Sequence, residues 1–354
     1  MHYISKMKKL YISYILLSFC LGIAQEKSPN IILMIGDGMG LTQISSGMYA
    51  NNNSTALEKF QYIGLSKTYS SDQLVTDSAA SGTAMATGHK TFNGAVGVDR
   101  NSNPQKSILE LCNSFGYSTA LIATSSIVHA TPASFYAKVP SRKQYEEIAL
   151  QLSNSNVDLF VGGGKKYFDK REDKKNLINE MKAYQIVNSL KKFEQSKSSK
   201  VGFFTYDDEP PYLLDGRTPE LEKITAVALE KLASKKAPFF MMIEGSQIDW
   251  GGHDNKMINV VSEFQEFDRT IKTVLEFAQK QGNTLVIVTA DHETGGLSLF
   301  EDSTDKGKVK GLFNTAGHTA TMVPVFSFGP HAEMFKGIYE NTAIFDKMAK
   351  VVFQ

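Results

Sequence analysis

The chain has 354 residues, of which 42% are hydrophobic and 21% charged, with 38 Lys and Arg against 37 Asp and Glu and two cysteines. That length buries a substantial core without help from a metal or a disulfide, and the composition excludes a fibrous, disordered or many-helix membrane chain. The near-even charge balance offers no basic face and gives no reason to expect nucleic acid as a partner.

The first element in chain order reads as a leader. Lys6, Lys8 and Lys9 precede the apolar run Leu10–Leu21, and Gly22-Ile23-Ala24 sets small residues at the −3 and −1 positions of a cleavage site before Gln25. The run is shorter than the roughly 20 residues that a membrane span needs. Residues 1–24 are therefore expected to be a signal peptide and 25–354 a single mature domain, periplasmic or secreted, with no membrane span. A lipoprotein acylated at Cys20 is the alternative, although Phe19 fits poorly before it. Cleavage removes three Lys and no acid, leaving 35 basic against 37 acidic residues and a formal charge of −2. It also leaves Cys112 alone, so no intramolecular disulfide forms; Cys112 reads as a small core residue of a helix.

Short apolar or β-branched runs then recur, the clearest being Ile31–Ile35, Thr119–Ala123, Phe239–Ile243, Thr284–Thr289 and Val323–Phe328. Each leads into Gly, Asp, Glu or Ser, and helical patterns intervene, as in a parallel sheet with crossover helices. Val260, Val261, Phe264, Phe267, Ile271 and Leu275 recur at helical spacing and predict an amphipathic helix covering one sheet face. The expected fold is α/β, a doubly wound, mostly parallel sheet flanked by helices. Residues 165–235, rich in Lys, Glu and Asp and containing Pro210-Pro211, read as a surface subregion that leaves the sheet.

Ligand-type residues collect at the carboxyl ends of these strands, where open α/β sheets place their sites. Ile31–Ile35 delivers Asp37 between Gly36 and Gly38. Phe239–Ile243 runs into Glu244, followed by Asp249 and His253 at a spacing of four, which lets a carboxylate and an imidazole face one ion. Thr284–Thr289 runs into Asp291-His292, and His318 shortly precedes the last strand. Singly these are turn, cap or surface residues; together they read as a metal cluster. Asp77-Ser78-Ala79-Ala80 supplies a serine in a small-residue segment that opens a helix. An N-cap reading of Asp77 or Ser78 is compatible with a nucleophile, because a helix N-terminus favours both an alkoxide and an incoming phosphate.

Five ordered segments resemble the alkaline phosphatase family: Ile35–Gly40, Thr76–Ser81, Thr91–Asp99, Glu244–His253 and Asp291-His292. The short length and Trp250 are similar to its compact, cold-adapted marine bacterial members. The resemblance implies an alkaline-phosphatase-like fold and hydrolysis of phosphate monoesters through a phosphoserine on Ser78. It implies two Zn2+ and one Mg2+: Asp249, His253 and His318 for the first zinc, Asp37, Asp291, His292 and Ser78 for the second, and Asp37, Thr131 and Glu244 for magnesium. Arg142 falls where the family grips phosphate. His129 and Trp250 stand where the best-known enterobacterial pattern has Asp and Lys, which implies altered magnesium binding and weaker phosphate retention. Relatives are usually dimers, so a homodimer is one expectation and a monomer the other. The rival readings are a phosphodiesterase, phosphonate hydrolase or sulfatase on the same scaffold, and a catalytically silent phosphate-binding protein. Sulfatase is disfavoured by the absence of a Cys/Ser-x-Pro-x-Arg segment at the nucleophile, and the silent protein by the complete ligand set.

Overall fold

A computed structural model describes residues 28–302 and 309–353. The expected leader and Cys20 lie outside the described residues. In chain order the strands are β1 (Asn30–Gly36), β2 (Tyr62–Lys67), β3 (Ser118–Ser126), β4 (Leu159–Gly163), β5 (Gln185–Val187), β6 (Val201–Phe204), β7 (Phe239–Gly245), β8 (Thr284–Thr289), β9 (Glu293–Thr294), β10 (Ser298–Glu301), β11 (Val309–Leu312), β12 (His318–Thr319), β13 (Val323–Phe328) and β14 (Gly337–Glu340). Ten of them form one sheet, ordered β14-β2-β13-β8-β1-β7-β3-β4-β6-β5. All neighbours pair in parallel except β13, which runs antiparallel to both β8 and β2.

The central strands are apolar throughout because helices cover both faces. Along β1, Ile31, Leu33 and Ile35 enter one core while Ile32 and Met34 enter the other. Helices Ser78–Thr87, Ile108–Ser114, Tyr145–Ser153 and Thr342–Val352 pack into the first core. Helices Leu221–Ala233 and Met257–Gln281 pack into the second, the latter burying Val260, Phe264, Phe267, Ile271 and Leu275 as its spacing predicts. Val261 is only partly buried. Cys112 is buried in helix Ile108–Ser114.

Residues 165–235 depart from expectation. They are not wholly an excursion, for β5 and β6 complete one edge of the main sheet and helix Leu221–Ala233 packs on β3 and β7. These strands have three and four residues, too few to display a period, and the connection between them carries the Lys and Ser that mark the segment as surface. The short helices Lys166–Asp169 and Leu177–Glu180 leave the sheet, as does the stretch from about 205 to 220, with Pro210-Pro211. It is tied to the long helix by Arg217, which is buried and donates to Glu263 and Glu266.

Strand register sets up the site. Ile35 lies opposite Glu244 on one side and Thr289 on the other, and Glu244 lies opposite Ala123. The carboxyl ends of β1, β7, β8 and β3 therefore finish together, and whatever follows each strand emerges at one place.

Candidate metal centre and nucleophile

Three groups of ligand atoms converge at those strand ends, each with its atoms within 4.8 Å of one another: Asp249, His253 and His318; Asp37, Asp291 and His292; and Asp37, His129 and Glu244. Asp37 belongs to two of them. It follows β1 directly, its N–H donates to Gly245 O at 3.1 Å, and both carboxylate oxygens are buried without a hydrogen-bond partner. Burial, with Asp291 beside it, raises its carboxyl well above the usual range. Glu244 Oε2 accepts from Ser246 Oγ at 2.7 Å and Ser125 Oγ at 3.3 Å, whereas Oε1 accepts nothing, and burial pushes the carboxyl up to about 7. Thr131 Oγ1, in the short helix Ala130–Ala133, is likewise buried and without a partner. Open buried oxygens of this kind cost stability unless a cation meets them, so the donor set fits metal ions.

The first group shows the same fit through its tautomers. Helix Gln247–His253 carries Asp249 and His253 one turn apart, and β12 brings His318 to them. His253 Nδ1 lies 2.6 Å from Ala316 O and His318 Nδ1 lies 2.8 Å from Thr76 O. Because a carbonyl only accepts, both Nδ1 atoms are donors and both Nε2 atoms turn inward. Those two Nε2 atoms are 3.1 Å apart and lie 3.3 and 3.5 Å from Asp249 oxygens. Hydrogen bonding to Asp249 raises His253 to about 9, while burial and His292 lower His318 to about 4. A proton and a cation thus compete for the same atoms.

Ser78 is the first residue of helix Ser78–Thr87, and its N-cap is Asp77, whose Oδ1 accepts from Ala80 N at 2.9 Å. The backbone N–H of Asp77 is held by Asn93 Oδ1 at 3.0 Å. Ser78 Oγ lies 3.3 Å from His292 Nε2, so the predicted nucleophile stands against the second group. Arg142 reaches the same place from the other side, donating to Asp77 Oδ2 at 3.1 Å and to His129 Nε2 at 3.2 Å. Burial and Arg142 hold His129 down at about 3, and therefore neutral. A neutral imidazole has one lone pair, so His129 can serve Arg142 or a cation but not both. The sequence reading set His129 in the shell of the magnesium site, and the fold brings it beside Asp37 and Glu244.

Trp250 projects from the same helix as Asp249 and packs edge-on to His129 at 6.2 Å and to Tyr212 at 6.4 Å between ring centroids. Tyr212 belongs to the 205–220 excursion and donates to Asp254 Oδ2 at 3.2 Å. Trp250 is thus a packed neighbour of the centre. The sequence reading did not single out Tyr212, Asn93, Ser125, Ser246 or Thr294. Thr294 adjoins the Asp291-His292 segment, but residue type alone does not reveal that its hydroxyl meets both Asp249 and His292.

The alkaline phosphatase family model matches residues 28–308. Alkaline phosphatase 3 of Bacillus subtilis (strain 168) is 34% identical over 93% of this chain and 89% of its own length. The alkaline phosphatase of Escherichia coli (strain K12) is 29% identical over 92% and 86%. Among solved structures, the alkaline phosphatase of the Antarctic bacterium TAB5 superposes with a TM-score of 0.88 at 44% identity, covering 93% of this chain and 99% of that one. The cold-active enzyme of a Shewanella species gives 0.84 at 30% identity, covering 91% and 99%. This chain therefore belongs to the alkaline phosphatase family.

Proposed function

We propose that this protein hydrolyses phosphate monoesters to an alcohol and inorganic phosphate through a phosphoserine on Ser78. One observation carries the reading: a serine at a helix N-terminus lies 3.3 Å from a histidine of a buried, partner-poor carboxylate and imidazole cluster. Asp249, His253 and His318 would hold one zinc, Asp37, Asp291, His292 and Ser78 a second, and Asp37, Thr131 and Glu244 a magnesium. When bound, the cations would supply positive charge to the attacking and departing oxygens of an in-line displacement.

The chain's own groups do the rest. Arg142 has donors beyond those engaged with Asp77 and His129, and its guanidinium would hold two non-bridging phosphoryl oxygens. The amino end of helix Ser78–Thr87 adds its dipole beneath the phosphoryl group. Ser78 Oγ forms the new bond to phosphorus as the bond to the alcohol oxygen breaks; water then attacks the phosphoserine, freeing phosphate and restoring the hydroxyl.

His129, engaged with Arg142, is a poor permanent ligand, which supports weak magnesium binding at the third group. A solved mutant of the TAB5 enzyme with a histidine replaced by aspartate has magnesium bound in its M3 site. Export is also proposed, from the Lys6–Ala24 pattern; among the described residues no helix is long and apolar enough to cross a membrane.

Hydrolysis of a chromogenic phosphomonoester is compared with that of the matching diester and sulfate ester, for wild type and Ser78→Ala, with and without chelator. Monoester turnover is expected to dominate and to fall by at least about four orders of magnitude in Ser78→Ala. Preferred turnover of the diester or the sulfate would overturn the substrate assignment.

A further inference from the structure

We infer that Thr294 is a positioning residue whose single hydroxyl couples the two proposed zinc groups. The inference rests on the metal reading above. Thr294 Oγ1 donates to Asp249 Oδ1, in the first group, and lies 3.2 Å from His292 Nδ1, in the second. A hydroxyl has one proton, and the Asp249 carboxylate can only accept it. Toward His292 the hydroxyl oxygen is therefore the acceptor and Nδ1–H the donor. That fixes the tautomer and leaves Nε2 with its lone pair aimed at the cluster, 3.1 Å from Asp291 Oδ2, 3.6 Å from Asp37 Oδ1 and 3.3 Å from Ser78 Oγ.

The socket around this hydroxyl is closely built. Thr294 is fully buried. A Cβ on Gly38 would lie 2.7 Å from Thr294 Oγ1, and one on Gly252 would lie 3.0 Å from its methyl carbon. Gly38 is also at φ +70, so its missing side chain both permits the turn after β1 and leaves room for the hydroxyl. Thr294 O accepts from Gln43 Nε2 at 2.7 Å, and Thr294 pairs with His318 in the β9–β12 ladder. One residue thus fixes Asp249 and His292 through its side chain and His318 through its backbone.

A variant without the hydroxyl should loosen both groups at once, because Asp249 loses a donor while His292 is freed to turn or to move its proton. Thr294→Val keeps the shape and removes the hydroxyl, Thr294→Ser keeps the hydroxyl, and Thr294→Ala is a smaller hydroxyl-free variant should Val not fold. The full-length protein is dialysed against a series of zinc buffers and the retained zinc is measured. In Thr294→Val the free zinc needed to half-fill both tight sites should rise about 10–100-fold, with Thr294→Ser staying within about threefold of wild type. A Val variant that weakens one site only or neither, or a Ser variant as weak as Val, would overturn the coupling. Wild type that retains fewer than two zincs would instead overturn the metal reading itself.

Discussion

Beside the long helix Met257–Gln281, buried Arg217 donates to Glu263 and Glu266, and those carboxylates also accept from Leu213 N and Leu221 N at 2.8 and 3.0 Å. At the carboxyl ends of β1, β7 and β8, Asp37, Glu244 and Asp291 are equally buried, yet Asp37 accepts no hydrogen bond and Glu244 leaves one oxygen open. In the first cluster every carboxylate oxygen accepts a hydrogen bond, Arg217 Nε alone being left without a partner, and the cluster pins the 205–220 excursion to the body of the fold. The second is left unsatisfied by the chain, and its nearest guanidinium, Arg142, is engaged with Asp77 and His129. Buried charge that is closed off is architecture, whereas buried charge left open marks where the protein gives up stability for ligand binding.

The largest effect expected from this contrast is in the closed cluster. Arg217→Met leaves two buried carboxylates side by side and should cost about 3–5 kcal/mol in urea unfolding, with bound zinc per folded chain unchanged. A cost below about 1 kcal/mol would show that the cluster is solvated and the contrast false.

In the open cluster the sign should depend on metal. Asp37→Asn removes one of the crowded carboxylates, so in chelator the variant should melt above wild type by on the order of 2–4 °C, and below it once zinc is supplied. The same sign in both conditions would mean that Asp37 is not a ligand.

The smallest effect concerns Glu209, which is partly buried and accepts from Ser126 N at 2.6 Å. Burial raises it from 4.5 to about 7. Because the folded value exceeds the unfolded one, stability is lost as pH rises through about 7. Glu209→Gln should therefore melt slightly above wild type at pH 8, and the difference should vanish near pH 4. A pH-independent difference would assign Glu209 to a cluster of the closed kind.

The central strands are legible in the residues alone, since β8 and β13 coincide with the runs Thr284–Thr289 and Val323–Phe328, and β1 and β7 extend theirs by one or two residues. Periodicity and residue type are local, and a strand buried on both faces announces itself as an unbroken apolar run. The ligand types were legible for a related reason: carboxylates and imidazoles at the ends of such runs have little purpose except to meet something. Which of them meet depends on how the strands are brought together in the fold. Gly38 N reaches Asp291 Oδ1 across 253 positions and His318 reaches Thr76 across 242. The engagement of His129 with Arg142, the bridging hydroxyl of Thr294 and the entry of β5 and β6 into the sheet were likewise settled there. Hydrogen-bond direction, tautomer and edge-strand pairing depend on partners far along the chain, and no local pattern encodes them.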